Sequence, residues 1–345
     1  MAPILQVRDL VKKFGEFAAV KGITFDVEEG EVFGLLGPNG AGKTTAISML
    51  TGILEPTSGT ASIAGYDILR DKAQVKRANG LVPQDLALYP TLSARANLEF
   101  FGRIYGLRGK ALRERVDDVL RIVALTERAD DAVKTFSGGM KRRGNIAAGL
   151  VHQPRLLFLD EPTVGVDPQS RNHIFESVLQ LNRERGMTIV YTSHYMEEVE
   201  LLCSRVAIID QGEIVALDTV KNLIAMLGQG VISVGLPSAD EISVADMARL
   251  PSVRSASLAM QGIAPLTAQV IAPESMPVEA PAMGDLPSPA PAVPIVRLLV
   301  DNSQQALVNI IDYCGRRGLS ITSLEILEPN LETAFLHLTG KRLRD

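Results

Sequence analysis

Gly37-Pro38-Asn39-Gly40-Ala41-Gly42-Lys43-Thr44-Thr45 decides how the chain is read. Two glycines separated by four residues, then Lys and Thr, form a phosphate-loop pattern. The apolar run Val32-Phe33-Gly34-Leu35-Leu36 before it predicts a buried strand. Glycines let the backbone turn its N–H groups inward around a phosphate, and a helix opening near Lys43 adds its positive N-terminal end. The segment from Gly37 through Pro38, Asn39, Gly40 and Ala41 to Gly42 is therefore the expected nucleotide-phosphate cradle. Lys43 is suited to the β- and γ-phosphates, Thr44 to a magnesium ion and Thr45 to the α-phosphate.

Outward from this loop, 345 residues exceed one ordinary core and predict a large domain with a smaller one. An apolar content of 46% with 22% charged residues suits a soluble globular chain, and a net charge of -5 supplies no basic surface for nucleic acid. The uncharged windows Asn222 to Ala239 and Ser255 to Pro273 have the length of a membrane span. However, Gly228, Gly230, Gly235, Pro237 and Pro265 interrupt them. Met1-Ala2-Pro3-Ile4 shows no basic segment followed by an apolar one, so no export signal is expected. Cys203 and Cys314 are too few for a disulfide framework and suit a reducing cytoplasm.

Upstream of the loop, Ile4 to Val7 and Ala19 to Val27 read as strands, with Phe14 between them as either an ordinary aromatic or a stacking surface for a base. Downstream, a helix is expected through about Ile53, then a strand at Gly80 to Gln84. Helical periodicity follows over Asn97 to Leu107, Lys110 to Leu125 and Lys141 to Leu150. In Phe136-Ser137-Gly138-Gly139-Met140, Ser and paired glycines at a helix start form an anion-binding cap, although alone this is an ordinary N-cap. Leu156-Leu157-Phe158-Leu159-Asp160-Glu161 is an apolar strand with two carboxylates at its tip, which suits a magnesium ligand followed by a base. A second strand, Thr188 to Thr192, ends near His194, which alone is either a phosphate contact or a helix-start histidine with a local partner. Met196 to Leu202 reads as a short helix. A hairpin is expected at Arg205 to Ile209 and Glu213 to Ala216, and a closing helix at Val220 to Leu227.

Beyond residue 228 the pattern changes. Val231 to Leu236, Ile242 to Leu250 and Val253 to Met260 form one β-α-β set. Ile295 to Asp301, Gln304 to Arg316 and Ile321 to Leu327 form another, with a last helix at Leu331 to Leu338. Two such halves predict a ferredoxin-like α+β sandwich. The expected organisation is an α/β cassette at 1–228 and an accessory domain at 229–345, interrupted by a Pro- and Ala-rich linker at 262–294.

Taken together the residues resemble the nucleotide-binding subunits of ATP-binding cassette (ABC) transporters, over roughly residues 4 to 225. Gly37 to Thr44 matches the Walker A loop, Gln84 the Q-loop, Ser137-Gly138-Gly139 the signature and Leu156 to Asp160 with Glu161 the Walker B strand and base. Asp167 matches the D-loop and His194 the switch histidine, while Phe14 falls where the family places its adenine-stacking aromatic. The tail Leu331-Glu332-Thr333-Ala334-Phe335-Leu336-His337-Leu338-Thr339-Gly340 looks like the closing motif of exporter ATPases of the daunorubicin-resistance type. Met140, Ala96, Gly144 and Ser204 depart from the usual Gln, Glu, bulky apolar residue and Asp; a helix-interior Gly144 costs about 1 kcal/mol relative to Ala.

The resemblance implies a phosphate-loop NTPase with a mixed-sheet core, a β subdomain and a helical subdomain, and two cassettes facing head to tail around ATP and Mg²⁺. It assigns Thr44, Asp160 and Gln84 to the metal, Glu161 to the attacking water, and His194 to the γ-phosphate. Ser137, Gly138, Gly139 and Asp167 would serve the nucleotide of the facing cassette. It further implies a homodimer or a heterodimer with a second cassette, a separate transmembrane permease and a peripheral place on the cytoplasmic face of the membrane. Drugs, lipids or polysaccharide-like cargo fit that branch. An importer subunit is the alternative, with a soluble non-transport ABC ATPase behind it.

Overall fold

The computed structural model describes residues 3–228, 230–237, 243–261 and 293–339. Close packing divides the chain into two compact units, Met1–Leu223 with Phe335–Asp345, and Ile224–Ala334.

In the first unit, β1 (Leu5–Phe14) and β2 (Phe17–Val27) form a long antiparallel hairpin. β1 runs well beyond the short strand expected at Ile4 to Val7, because Asp9 at φ 47 absorbs a register shift and pairing resumes at Leu10. Phe14 is thus the end of a strand rather than part of a connection. β3 (Val32–Leu36) leads through the glycine loop into α1 (Lys43–Leu50), which stops short of the expected Ile53. There Thr51 turns its hydroxyl back onto the Ile47 carbonyl at 2.9 Å and Gly52 takes φ 74. β4 (Ser58–Ile63) pairs with β1 and β5 (Tyr66–Asp67) with β4, giving the sheet order β2-β1-β4-β5.

The chain continues through α2 (Lys72–Ala78), β6 (Asn79–Val82) and three helices, α3 (Ala94–Ile104), α4 (Gly109–Ile122) and α5 (Gly138–Leu150). β7 (Leu156–Asp160), α6 (Pro168–Arg185), β8 (Thr188–Ser193), α7 (Met196–Leu202), β9 (Arg205–Asp210), β10 (Glu213–Thr219) and α8 (Val220–Ala225) complete the unit. The six-stranded sheet has the order β10-β9-β3-β8-β7-β6, parallel except for β10. Every residue of β3, β7 and β8 is buried, as expected of central parallel strands covered on both faces. Because these strands run in one direction, the loops after β3, β6, β7 and β8 emerge at the same edge, where ligands bind in open α/β sheets.

The second unit holds β11 (Gly230–Gly235), α9 (Val244–Met247), β12 (Val253–Gln261), β13 (Val293–Val300), α10 (Ser303–Arg317) and β14 (Ser323–Leu327). α11 (Leu331–Thr339) follows, its residues from Phe335 onward belonging to the first unit. The order β12-β13-β11-β14, antiparallel throughout, is the ferredoxin-like arrangement expected of two interleaved β-α-β halves. Ile232, Val234, Val296, Leu298 and Val300 pack under Ala306, Ile310 and Cys314 of α10. The helix expected over Ile242 to Leu250 is only four residues long, and its first expected position lies outside the described residues. Of the expected linker at 262–294, residues 262–292 lie outside the described residues, while Val293 and Pro294 already belong to β13, with Val293 opposite Gln261.

Candidate functional site

The loop between β3 and α1 is shaped by what surrounds two of its glycines. Gly42 stands at φ 105, and a Cβ there would lie 2.5 Å from the Ala19 carbonyl oxygen. At Gly37 it would lie 2.2 Å from the Ile209 carbonyl oxygen. Both contacts are with backbone, so the loop accepts no side chain at either position. Lys43 is 4% exposed, and its ammonium donates to the carbonyls of Gly37 at 2.7 Å and Pro38 at 3.0 Å.

β7 delivers Asp160 and Glu161 opposite that lysine. Glu161 Oε1 lies 3.1 Å from Lys43 Nζ, and Gln84 Nε2 donates to Glu161 Oε2 at 3.4 Å. His194 Nδ1 is 3.3 Å from the same Oε2 without hydrogen-bond geometry, and is a buried ring nitrogen left without a hydrogen bond. Glu161 adopts φ 46, and its N–H donates to Thr192 Oγ1 at 2.8 Å. That hydroxyl in turn donates to Asp160 Oδ1 at 2.8 Å. Burial pushes the Asp160 carboxyl above the usual carboxylate range and the neighbouring Glu161 adds to this, while hydrogen bonds from Thr192 and Thr44 and the charge of Lys43 oppose it. A carboxylate in that position calls for a cation. Thr44, Asp160 and Gln84 offer the hydroxyl, carboxylate and amide oxygens that magnesium prefers.

Phe14 and Phe17 face each other across the β1–β2 hairpin end, are 50% and 67% exposed, and line a groove with Asn39, Gly40, Thr45, Val164 and His194. The Lys12 ammonium lies 5.2 Å from the Phe14 ring centre. Sequence reasoning found Phe14 and missed Phe17, although an aromatic on each side of a two-residue turn was a usable signal.

Ser137, Gly138, Gly139 and Asp167 do not line this groove. Ser137 caps α5 by accepting the Met140 N–H at 3.2 Å, and Asp167 caps α6 by accepting the Ser170 N–H at 2.9 Å, which holds its carboxyl below the usual range. The two caps meet: a Cβ at Gly139 would lie 2.0 Å from Ser170 Oγ and 3.4 Å from Asp167 Oδ2. Sequence reasoning also missed Arg142, 6% exposed, whose guanidinium donates to the carbonyls of Pro83 at 3.1 Å and Gln84 at 2.6 Å and so ties α5 to the segment carrying Gln84. Of the unusual residues, Gly144 leaves α5 unbroken and makes room for Leu88, whose Cδ1 would stand 3.0 Å from a Cβ there. Ala96 receives the Ser93 cap without returning a side-chain bond.

A buried lysine in a glycine loop, a carboxylate pair at the end of a parallel strand, and a glutamine and histidine converging on the second carboxylate define a phosphate-loop ATPase cassette. A family model described as ABC transporter matches residues 20–164. Over 99% of this chain and the whole of the relative, the sequence is 42% identical to the linearmycin resistance ATP-binding protein LnrL of Bacillus subtilis (strain 168). It is 36% identical, over 96% of this chain and 93% of the relative, to the daunorubicin resistance ATP-binding protein DrrA2 of Streptomyces coeruleorubidus. Among solved structures, cbiO1 from Clostridium perfringens, part of the ABC transporter complex cbiONQ, superposes with a TM-score of 0.61 at 30% identity, covering 65% of this chain and 92% of its own. A dimeric MJ0796 cassette in a post-hydrolysis state with ADP and Pi gives 0.57 at 26% identity, covering 62% and 98%. The chain belongs to the ATP-binding proteins of the ABC transporter family, whose ATPase subunits dimerise and act with a separate permease. Among the described residues no helix is long and apolar enough to cross a membrane.

Proposed function

We propose that this chain powers an exporter of drug-like or lipid-like molecules as a homodimer seated peripherally on the cytoplasmic side of its permease. The observation that carries the ATPase chemistry is the convergence of Lys43, Gln84 and His194 on Glu161. Export is supported by full-length similarity to proteins named for resistance to linearmycin and daunorubicin.

In this reading Lys43 exchanges its carbonyl and Glu161 contacts for the β- and γ-phosphates, and the loop amides from Asn39 to Thr45 hold the remaining oxygens. Thr44, Asp160 and Gln84 would hold Mg²⁺, which would neutralise phosphate charge when bound. Glu161, freed from Lys43, takes a proton from the attacking water, and His194 Nδ1 turns to a γ-phosphate oxygen. Phe14 and Phe17 offer apolar faces to the base. Ser137 and Gly139, which do not line this groove, cap the nucleotide held by a second copy, with Asp167 beside them. The domain limit near residue 228 and the accessory role of residues 229–345 complete the proposal.

The test compares cells lacking this chain with cells carrying it or its Lys43→Ala form. Hypersensitivity to amphiphilic antibiotics that only the unaltered chain reverses supports export, whereas a nutrient requirement with unchanged drug tolerance supports an importer.

A further inference from the structure

Behind the groove lies a buried carboxylate that the roles above leave unused. Glu198 on α7 is 2% exposed. Its Oε2 accepts hydrogen bonds from Thr163 Oγ1, Tyr191 Oη and Ser193 Oγ, each at 2.9 Å. Ser193 Oγ in turn accepts the Tyr195 N–H at 2.9 Å, closing the turn that carries His194. Thr163 lies in the loop after Glu161, where the Val164 N–H returns to the Glu161 carbonyl at 3.4 Å and the Val166 N–H to the Thr163 carbonyl at 3.1 Å. The segments presenting Glu161 and His194 therefore hang from one oxygen atom. Glu198 Oε1 makes no hydrogen bond and stands 3.8 Å from Arg171 Nε, itself without one. A carboxylate this deep is costly unless compensated, and three hydroxyls with a guanidinium nearby provide that compensation.

We propose that Glu198 is a positioning residue for ATP hydrolysis, fixing the spacing of Glu161 and His194 through Thr163 and Ser193. The proposal rests on the reading of Glu161 and His194 as the hydrolytic pair. A displacement of about 1 Å at a reacting group costs on the order of 100-fold in rate. Glu198→Leu keeps the approximate size and removes the oxygen on which all three hydroxyl bonds converge. Thr163→Val and Ser193→Ala each delete one hydroxyl link and guard against a Glu198 variant that fails to fold.

In the full chain, each variant is expected to lose about 10- to 100-fold in kcat while the Kd for a non-hydrolysable ATP analogue stays within about two-fold. In a His194→Ala background Ser193→Ala is expected to cost less than about two-fold further, because the group it positions is already gone. A merely structural role would lower Tm and multiply the His194→Ala loss in full. That outcome, or unchanged kcat in all three variants, overturns the proposal. Wild-type turnover by Glu161→Gln and His194→Ala would instead remove the hydrolytic pair itself; loss of activity in those two with none in the Glu198 set removes only the positioning role.

Discussion

Glu161→Gln should slow hydrolysis and, less obviously, tighten nucleotide binding. Lys43 Nζ and Glu161 Oε1 are 3.1 Å apart on side chains 4% and 6% exposed. At an effective dielectric of about 20, unit charges at that separation attract by about 5 kcal/mol, most of which offsets their desolvation. Lys43 must leave this partner to reach a phosphate, whereas its bonds to the Gly37 and Pro38 carbonyls are common to both forms and cancel. If roughly a quarter of the attraction survives as net stabilisation of the empty site, removing it improves affinity about tenfold. Removal of the adjacent negative charge acts in the same direction. Turnover is expected to fall by about two to four orders of magnitude, the range for losing a positioned base. Calorimetry with a non-hydrolysable ATP analogue reads the first effect and phosphate release the second. Near-normal turnover would refute Glu161 as the base, and weaker analogue binding would refute the competition for Lys43.

Three further outcomes are expected. Gly42→Ala sets a Cβ against the Ala19 carbonyl oxygen from a left-handed backbone, so analogue affinity should drop at least about tenfold with secondary structure intact by circular dichroism; wild-type affinity would contradict the loop geometry. Burial raises the Asp160 carboxyl in the folded chain, so its contribution to ligand-free stability is full at low pH and is lost as pH rises through that raised value. Asp160→Asn removes this dependence: ligand-free Tm near neutral pH should hold or rise by about 2–4 °C while magnesium-dependent hydrolysis falls at least about 100-fold, and a lower Tm would speak against the burial argument. Lys43→Ala and Gly139→Asp chains, each also carrying Glu161→Gln, should each fail to form an ATP-locked dimer alone, yet dimerise when mixed, as read by size-exclusion chromatography; a mixture no better than either parent would rule out a site shared between copies.

The phosphate loop and the β7 carboxylates were legible because their chemistry is local: a strand, a loop and a helix in consecutive residues fix Gly37 to Thr44, and a buried strand with acids at its tip marks Asp160 and Glu161. The ferredoxin-like unit was legible for the same reason, since period and turn signals alternate twice. Phe17, Arg142 and Glu198 were not, because their roles arise from register and burial: Phe17 matters as the cross-strand neighbour of Phe14, and Arg142 reads as one basic residue among several until its carbonyl partners are seen. The full length of β1 was hidden by Asp9, whose positive φ breaks the alternation that marks a strand.

The left-handed backbone at Glu161 has a consequence for lineages of this chain. A residue with a Cβ held there sacrifices on the order of 1–2 kcal/mol, which asparagine or glycine sacrifices less of. In the role proposed above, Glu161 stands against that gradient because the attacking water needs a base. In a duplicated copy released from hydrolysis but still required to fold, the gradient favours Asn or Gly at position 161, with a gain in stability and no return to activity. That residue therefore records whether a paralogue still turns over ATP, and a resurrected silent copy should melt higher than its active sister by an amount that restoring glutamate abolishes.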